Sequence, residues 1–162
     1  MNLKLWSVSL AYSLMLGCSV HKAQFYPVQG PLSAQTPLPV LVAKVSGVFT
    51  PGNISLVLED GEVCKGRWTQ VPTIQSPNGA AAANPATSEI SGAWDTVYGP
   101  GFYVSHILGA TLHLQALVSG NRGTLVNAEM YRSGEGPNSE LGSIKGVAKD
   151  NRGNIYKLVF AD

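Results

Sequence analysis

The sequence is poor in charged residues and in cysteine, and each shortage excludes a class of protein. Charged residues make up 13% of the 162 residues, and the net charge is +1. Nucleic-acid-binding domains cluster their basic residues, so this weak and scattered charge predicts no nucleic-acid partner. The two cysteines, Cys18 and Cys64, are too few for a disulfide-rich scaffold. No apolar run approaches the roughly 20 residues that a membrane-spanning helix needs.

The sequence also lacks the motifs that announce common catalytic sites. It has no Gly-x-Ser-x-Gly nucleophile elbow. The segment Gly-Asn-Arg-Gly at residues 120–123 is too short for a phosphate-binding loop and falls in a predicted hairpin. We therefore expect a protein that is not an enzyme and that has no cofactor.

The first 18 residues have the layout of a secretion signal. Lys4 and the amino terminus provide positive charge, and Leu5–Leu16 form an apolar segment of about 12 residues, too short to span a bilayer. Gly17-Cys18 follows directly and resembles the lipobox of bacterial lipoproteins, which a type II signal peptidase cuts before the cysteine. An ordinary secretion signal with an incidental cysteine, or a buried N-terminal core segment, are the alternatives.

The resemblance to bacterial lipoproteins implies a fate for Cys18. Its thiol would carry diacylglycerol, and its new amino group is usually acylated with a fatty acid such as palmitate; several chains anchor a protein stably. Met15 and Leu16 depart from the favoured lipobox, whereas Gly17 fits it. Ser19 stands where an Asp often directs retention in the inner membrane. The expected location is therefore the bacterial cell envelope, at the outer membrane and facing the periplasm.

We divide the chain into a signal peptide at 1–17, a lipidated cysteine with a tether at 18–39, and one domain at 40–162. Four prolines and the lack of an apolar period favour an extended tether. Within the domain, residues 72–89 are rich in small residues and broken by proline, so we expect a mobile loop there.

The segment NISLVLEDGEVCKGRW predicts a β-hairpin around Asp60-Gly61. A three-residue loop, Glu59-Asp60-Gly61 with a left-handed Gly61, gives one clean apolar face, whereas a two-residue loop mixes charges into that face. The preferred register places Leu56 opposite Cys64. It buries the Cys64 thiol and leaves Lys65 and Arg67 in solvent.

Related hairpin signals recur along the domain. The segments SGNRGTLV and KDNRGNIY share Asn-Arg-Gly before a strand, and Ile-x-Gly-x-Trp or a similar pattern occurs at Cys64, Ile90 and Ile144. Each of those glycines is expected to lie in a strand and to make room for a neighbour's ring. The fold class that follows is all-β: a small antiparallel meander sheet or a partly closed barrel built from hairpins.

Two histidines are the best candidates for metal ligands. If Gly109-Ala110 were a two-residue hairpin turn, His106 would face His113 on the adjacent strand, and Asp95 or Glu129 would have to supply a third ligand. Two solvated surface histidines are the preferred alternative, so no metal is expected. The segment YVSHIL is also compatible with a helical turn, which would remove the pairing.

These observations leave two functional classes open. The favoured one is an envelope lipoprotein with a non-catalytic β domain, an accessory or assembly factor that contacts a partner protein through a free strand edge or the bend Thr96–Tyr103. The alternative is a lipid-anchored barrel that binds a small ligand.

Overall fold

The structure is a computed structural model that describes residues 20–47, 51–71, 88–108, 110, 113–132 and 144–161. Eight strands account for most of these residues. They are β1 (Val20–Gln29), β2 (Leu41–Ser46), β3 (Asn53–Val57), β4 (Val63–Gln70), β5 (His113–Gly120), β6 (Leu125–Arg132), β7 (Ile144–Asp150) and β8 (Ile155–Ala161). One helix, α1 (Ser88–Tyr98), a 3₁₀ turn (Pro31–Ala34) and a π-helical segment (Tyr103–Ile107) complete the fold.

The strands form a closed antiparallel barrel in sequence order. Each strand pairs with its neighbours in the chain, and β1 pairs with β8 to close the ring. The predicted all-β class is therefore confirmed, and the sheet is fully closed. No helix in the described ranges is both long and apolar enough to cross a bilayer.

The barrel has two unlike ends. The turn end carries residues 30–40, 58–62, 121–124 and 151–154, which are short connections apart from the first. The long-loop end holds the ends of β2, β4 and β6 and the starts of β3, β5 and β7, as well as Val20, where β1 begins.

Side chains that alternate along the strands fill the barrel interior. Trp68 and Tyr156 are the largest of them, and small residues face them on neighbouring strands, so the layers interdigitate. The interior set includes Ala23, Phe25, Ala43, Val45, Ile54, Leu56, Cys64, Ala116, Val118, Val126, Ala128, Met130, Ala148 and Leu158.

The prediction of a tether at 18–39 is wrong for residues 20–34. Residues 20–29 form β1, in which Ala23 and Phe25 are fully buried and Lys22 is exposed. Pro27 suggested a linker, but it sits where the register with β8 shifts, a place where a strand tolerates proline. Residues 31–34 form the 3₁₀ turn, whose Leu32 packs against the core.

The first predicted hairpin is confirmed in detail. Leu56 pairs with Cys64, and the Leu58 N–H donates to the Glu62 carbonyl over 2.9 Å, which closes a three-residue loop. Gly61 has φ +78°, the left-handed conformation that the loop requires. Lys65 is exposed and Cys64 is a buried free thiol, as expected.

The last hairpin is also confirmed, because Gly146 pairs with Leu158 and Ala148 with Tyr156. The glycine prediction is correct only in part: Gly66 and Gly146 lie in strands, but the atoms nearest to them belong to no aromatic ring. A Cβ on Gly66 would lie 2.3 Å from the Leu117 carbonyl oxygen, so this glycine accommodates the backbone of β5 and no aromatic ring. Gly92 is not in a strand at all, since it lies in α1.

The helix α1 replaces part of the expected loop and an expected strand. Of the predicted loop 72–89, residues 72–87 lie outside the described residues, and Ser88 is the first residue of α1. Ile90, Ala93 and Trp94 recur with helical spacing and are buried against the outside of the barrel, mainly on β7. Gly99, with φ +107°, ends the helix.

Because β1 is part of the barrel, truncation of its buried aromatic side chain should destabilise the fold. Phe25→Ala should lower the free energy of unfolding by about 3–5 kcal/mol, because it empties a buried site in contact with Tyr156. Val28→Ala, at an exposed position of the same strand, should change it by less than about 0.5 kcal/mol. Equal effects in urea unfolding would contradict the assignment of β1 to the core.

Candidate functional site

Carboxylates organise the turn end of the barrel. Glu62 is fully buried, and its carboxylate accepts hydrogen bonds from the Thr124 hydroxyl at 2.5 Å and the backbone N–H of Arg122 at 2.8 Å and of Thr124 at 3.1 Å. Arg152 adds an ion pair to it at 2.6 Å. The Thr124 hydroxyl is the first cause that lowers the pKa of Glu62, so this group is a carboxylate at neutral pH.

Asp150 does the same work for the turn 151–154. Its Oδ1 accepts from the N–H of Arg152 at 2.9 Å and of Asn154 at 2.8 Å, and its Oδ2 accepts from the Asn154 amide at 2.8 Å and the Tyr156 hydroxyl at 2.7 Å. Burial, with the bond to Asp150 as the next cause, raises the pKa of Tyr156 far above its usual range. Tyr156 therefore stays a hydrogen-bond donor.

The two Asn-Arg-Gly turns are variants of one structure. Asn121 donates its N–H to the Val63 carbonyl and accepts from the Val63 N–H, and Asn151 makes the same pair of bonds with Leu125. Each turn is thereby fastened to the start of the preceding hairpin's second strand. The sequence echo thus has a physical reason, although the sequence analysis treated it only as a hairpin signal.

The two turns differ at one important position. Gly120 occupies the place in its turn that Asp150 occupies in the other, and a Cβ on Gly120 would lie 2.0 Å from Glu62 Oε1. Glu62 thus reaches across from another hairpin and puts its carboxylate where an aspartate at position 120 would have put its own. The N–H groups of Arg122 and Thr124 are thus satisfied by a side chain that is 60 and 62 residues away from them in the sequence.

Arginines join the three turns into one network. Arg122 pairs with Asp60 at 2.6 Å, and Arg152 pairs with Asp60 at 3.0 Å as well as with Glu62. The hydrogen bond from the Glu62 N–H is the largest of the causes that lower the pKa of Asp60. Asp60 and both arginines are about half exposed, so the network forms a charged rim around the barrel mouth.

A pocket of about 260 Å³ opens inside this rim. Its walls are mostly apolar, and the side chains of Asp60, Asp150, Arg152, Asn154 and Tyr156 are engaged in the bonds described above. The pocket is therefore shaped for a small apolar or amphipathic molecule. It is lined by Pro31, Leu32, Leu41, Leu58, Glu59, Asp60, Asp150, Arg152, Asn154 and Tyr156.

A second polar site lies outside the barrel, beneath α1. Glu129 points outward from β6 yet is fully buried, because α1 covers it. The Trp94 indole N–H donates to Glu129 Oε2 at 2.8 Å, and His113 Nε2 lies 3.2 Å from the same oxygen. The other carboxylate oxygen, Oε1, has no hydrogen-bond partner among the described residues.

Aromatic rings extend from this site along the outer surface. Trp94, Tyr98, Phe102 and His106 recur every four residues and stack in sequence, with centroid distances of 5.6, 4.8 and 4.3 Å. We call these four rings the aromatic ladder. The ammonium group of Lys145 lies 5.6 Å from the Tyr98 ring centroid and 5.3 Å from that of Phe102. The ladder is buried at Trp94 and exposed at His106, so it ends in a surface patch.

The predicted histidine pair does not form. His106 lies in the π-helical segment and stacks on Phe102, whereas His113 begins β5 and is buried. The hairpin prediction was wrong because helical turns extend through 103–107, the alternative that the sequence allowed. Of the proposed third ligands, Glu129 does contact His113, while Asp95 accepts the Tyr103 N–H at 3.0 Å. No group of three or more metal-ligating side chains occurs within the described ranges.

The other predicted site residues fall in two places. Gly17 and Cys18 lie outside the described residues, so the lipidation prediction stays a prediction. Cys64 lies in the core, and burial raises the pKa of its thiol, with the negative charge of Glu62 as the next cause. A protonated buried thiol is a poor nucleophile.

Comparison with known proteins identifies no relative. No protein-family model matches the chain, and neither a curated protein nor a solved structure matches it. The functional argument therefore depends on the geometry of this chain alone.

Glu62 should make stability depend on acid pH. Its folded pKa is lowered, so its contribution is complete above the ordinary value near 4.5 and is lost as the pH falls through the folded pKa. Glu62→Gln should lower the melting temperature at pH 7 and reduce its fall between pH 5 and pH 3. Glu59→Gln, at an exposed neighbouring position, should do neither. The same fall in melting temperature between pH 5 and pH 3 in the wild type and both variants would contradict this role.

The relation between Glu62 and Gly120 should appear in a double-mutant cycle. Glu62→Gly leaves the backbone N–H groups of Arg122 and Thr124 without their carboxylate acceptor, and Gly120→Asp alone drives a side chain into the Glu62 carboxylate. Each change should therefore destabilise the barrel. Combined, the new aspartate takes the position that Asp150 has in the other turn. The double variant should be more stable than the sum of the single changes by at least about 1 kcal/mol. Additive losses in denaturant unfolding would show that the turns are not equivalent.

Proposed function

We propose that this protein is an envelope lipoprotein whose barrel is a non-catalytic binding module, an accessory or assembly factor that acts through contact with a partner protein. In this proposal the chain is cleaved between Gly17 and Cys18, and the lipid on Cys18 holds the barrel at the outer membrane on the periplasmic side. The proposal assigns the protein no reaction, no cofactor and no nucleic acid.

The aromatic ladder is the observation that supports contact with a protein. Half-exposed aromatic rings beside cationic side chains are enriched where proteins meet, because they bury a large area at a small cost in side-chain entropy. Phe102 is half-buried, and Val104 beside it is 68% exposed. The patch lies in the segment that includes the bend Thr96–Tyr103, one of the two contact surfaces that the sequence suggested.

The prediction that a partner binds through a free strand edge is wrong. In the part of the chain that the structure describes, each of the eight strands pairs with two others, so no strand edge is available to a partner's strand. Contact through side chains of the outer face is therefore the mode of binding that we propose.

The pocket at the turn end supports a second candidate function. Its volume of about 260 Å³ lies just below the usual range for small-ligand sites. Recovery of a stoichiometric small molecule from the purified intact protein, lost when Leu41→Trp fills the pocket, would favour this function over the protein contact.

Photo-crosslinking in cells tests the protein-contact part of the favoured proposal. A photo-crosslinking residue at Val104 should give one discrete protein adduct, and Phe102→Ala should weaken that adduct because it removes the centre of the ladder. The same residue placed at Leu117, which is 57% exposed on β5, is the matched control and should give no adduct. Equal products from the two positions, or none from Val104, would overturn the protein-contact proposal.

The same cells report on the anchor. The wild-type protein should incorporate radioactive palmitate and remain in the membrane fraction, whereas Cys18→Ser should abolish the label, since the acyl chains depend on modification of this cysteine. A wild-type protein that is never labelled and is recovered in the soluble fraction would overturn the lipoprotein assignment, whatever the crosslinks show.

A further inference from the structure

Basic side chains line up across the outer face of β1–β4. Lys22 lies directly opposite Lys44, Lys44 opposite Ser55, and Ser55 opposite Lys65, so one row across four adjacent strands carries three lysines. Arg67 follows Lys65 two residues further along β4. All four basic side chains are exposed. We call this surface the basic face.

Nothing in these strands offsets the positive charge. The strands β1–β4 contain no aspartate or glutamate. Like charges directly opposite on paired strands, such as Lys22 and Lys44, destabilise a sheet. None of the four basic side chains takes part in the ion pairs described above, which lie at the turn end or beneath α1. The basic face is thus a local cost to the fold that an anionic partner would remove.

Exposed apolar side chains accompany the lysines. Val42 and Val57 point outward from β2 and β3 and are 49% and 54% exposed, and Val20 at the start of β1 is 59% exposed. Basic residues interspersed with apolar ones suit a bilayer interface, where the ammonium groups meet phosphates and the valines meet the acyl boundary.

The position of Cys18, if it carries a lipid as proposed, would bring this face to a membrane. Cys18 is two residues before Val20, and two residues span at most about 7 Å. Lys22 is only four residues after Cys18. A lipid on Cys18 would therefore place β1 itself at the bilayer surface, with no tether to hold the barrel away.

We infer that the basic face docks on anionic phospholipid headgroups, so that the barrel lies on its β1–β4 side against the leaflet that holds the anchor. This inference rests on the proposed lipidation of Cys18. In an eight-strand ring β6 and β7 lie opposite β2 and β3, and α1 packs mainly on β7. The docked barrel consequently presents the aromatic ladder away from the bilayer, where a partner can reach it.

Vesicle binding tests the face separately from the anchor. All eight strands lie within residues 20–161, so a chain that begins at Ser19 contains the whole barrel. In low salt this chain should sediment with vesicles of phosphatidylglycerol and phosphatidylcholine, but not with phosphatidylcholine alone, and 0.5 M NaCl should release it. Each lysine near an anionic surface contributes about fivefold to the affinity, so Lys22→Gln, Lys44→Gln and Lys65→Gln together should weaken binding on the order of 100-fold.

The other strand lysines provide the matched control. Lys145→Gln, Lys149→Gln and Lys157→Gln together remove the same charge from the side that carries α1, and they should weaken vesicle binding by less than about fivefold. Lys22→Gln with Lys44→Gln should leave the melting temperature unchanged or raised, because a like-charge pair is removed. Misfolding would lower both the melting temperature and the binding, so it is distinguishable from loss of the face.

The intact lipidated protein gives the decisive comparison. In phosphatidylglycerol vesicles, an amine-reactive reagent should modify Lys22 and Lys44 at least tenfold more slowly than Lys149, and in phosphatidylcholine the difference should vanish. No protection together with palmitate labelling would overturn docking and leave the lipoprotein proposal standing. Charge-dependent vesicle binding by the shorter chain without palmitate labelling would overturn the lipoprotein proposal alone. Binding to a DNA oligonucleotide but not to vesicles would overturn the lipid as the partner.

Discussion

The pairing of β1 with β8 is the contact on which the rest of the architecture depends. It turns a meander with two open edges into a ring, and it buries Phe25 against Tyr156 in the core. Because β1 is needed to close the barrel, Val20–Gln29 cannot also serve as a flexible linker. The pocket depends on the same contact, since the 3₁₀ turn that follows β1 contributes Leu32 to its wall.

Much of the fold could be predicted from the sequence, because hairpins leave local signals. Alternation around Asp60-Gly61 fixes both the turn and the register, and the segment before Asn151 behaves in the same way. The strand β1 was missed because Pro27 and several polar residues mask its alternation. The helix α1 was missed because Ile90, Gly92 and Trp94 also fit a period of two, and the helical spacing of Ile90, Ala93 and Trp94 became decisive only through packing on β7.

The candidate sites were less predictable, because each is made by residues from distant parts of the chain. Glu62 satisfies the turn that begins after Gly120, and no local pattern reveals that a glycine in one hairpin leaves space for a carboxylate from another. His113 and Glu129 were both named as candidates and do contact each other. The hydrogen-bond donor to Glu129, however, is the Trp94 indole, on a helix that the sequence analysis took for a strand. The only signal available beforehand was the repeated Asn-Arg-Gly.

The ring also has a consequence for the order of folding. Seven of its eight strand pairs join neighbours in the chain, whereas Lys22 and Ala161 are 139 residues apart and are paired in the eighth. Local hairpins can form quickly, but closure must overcome the entropy of a loop that contains nearly the whole chain. The ribosome makes β1 first and β8 last. The edge of β1 that pairs with β8 therefore has no partner until β8 has been made. That interval is when the protein is most exposed to pairing with a second copy of itself.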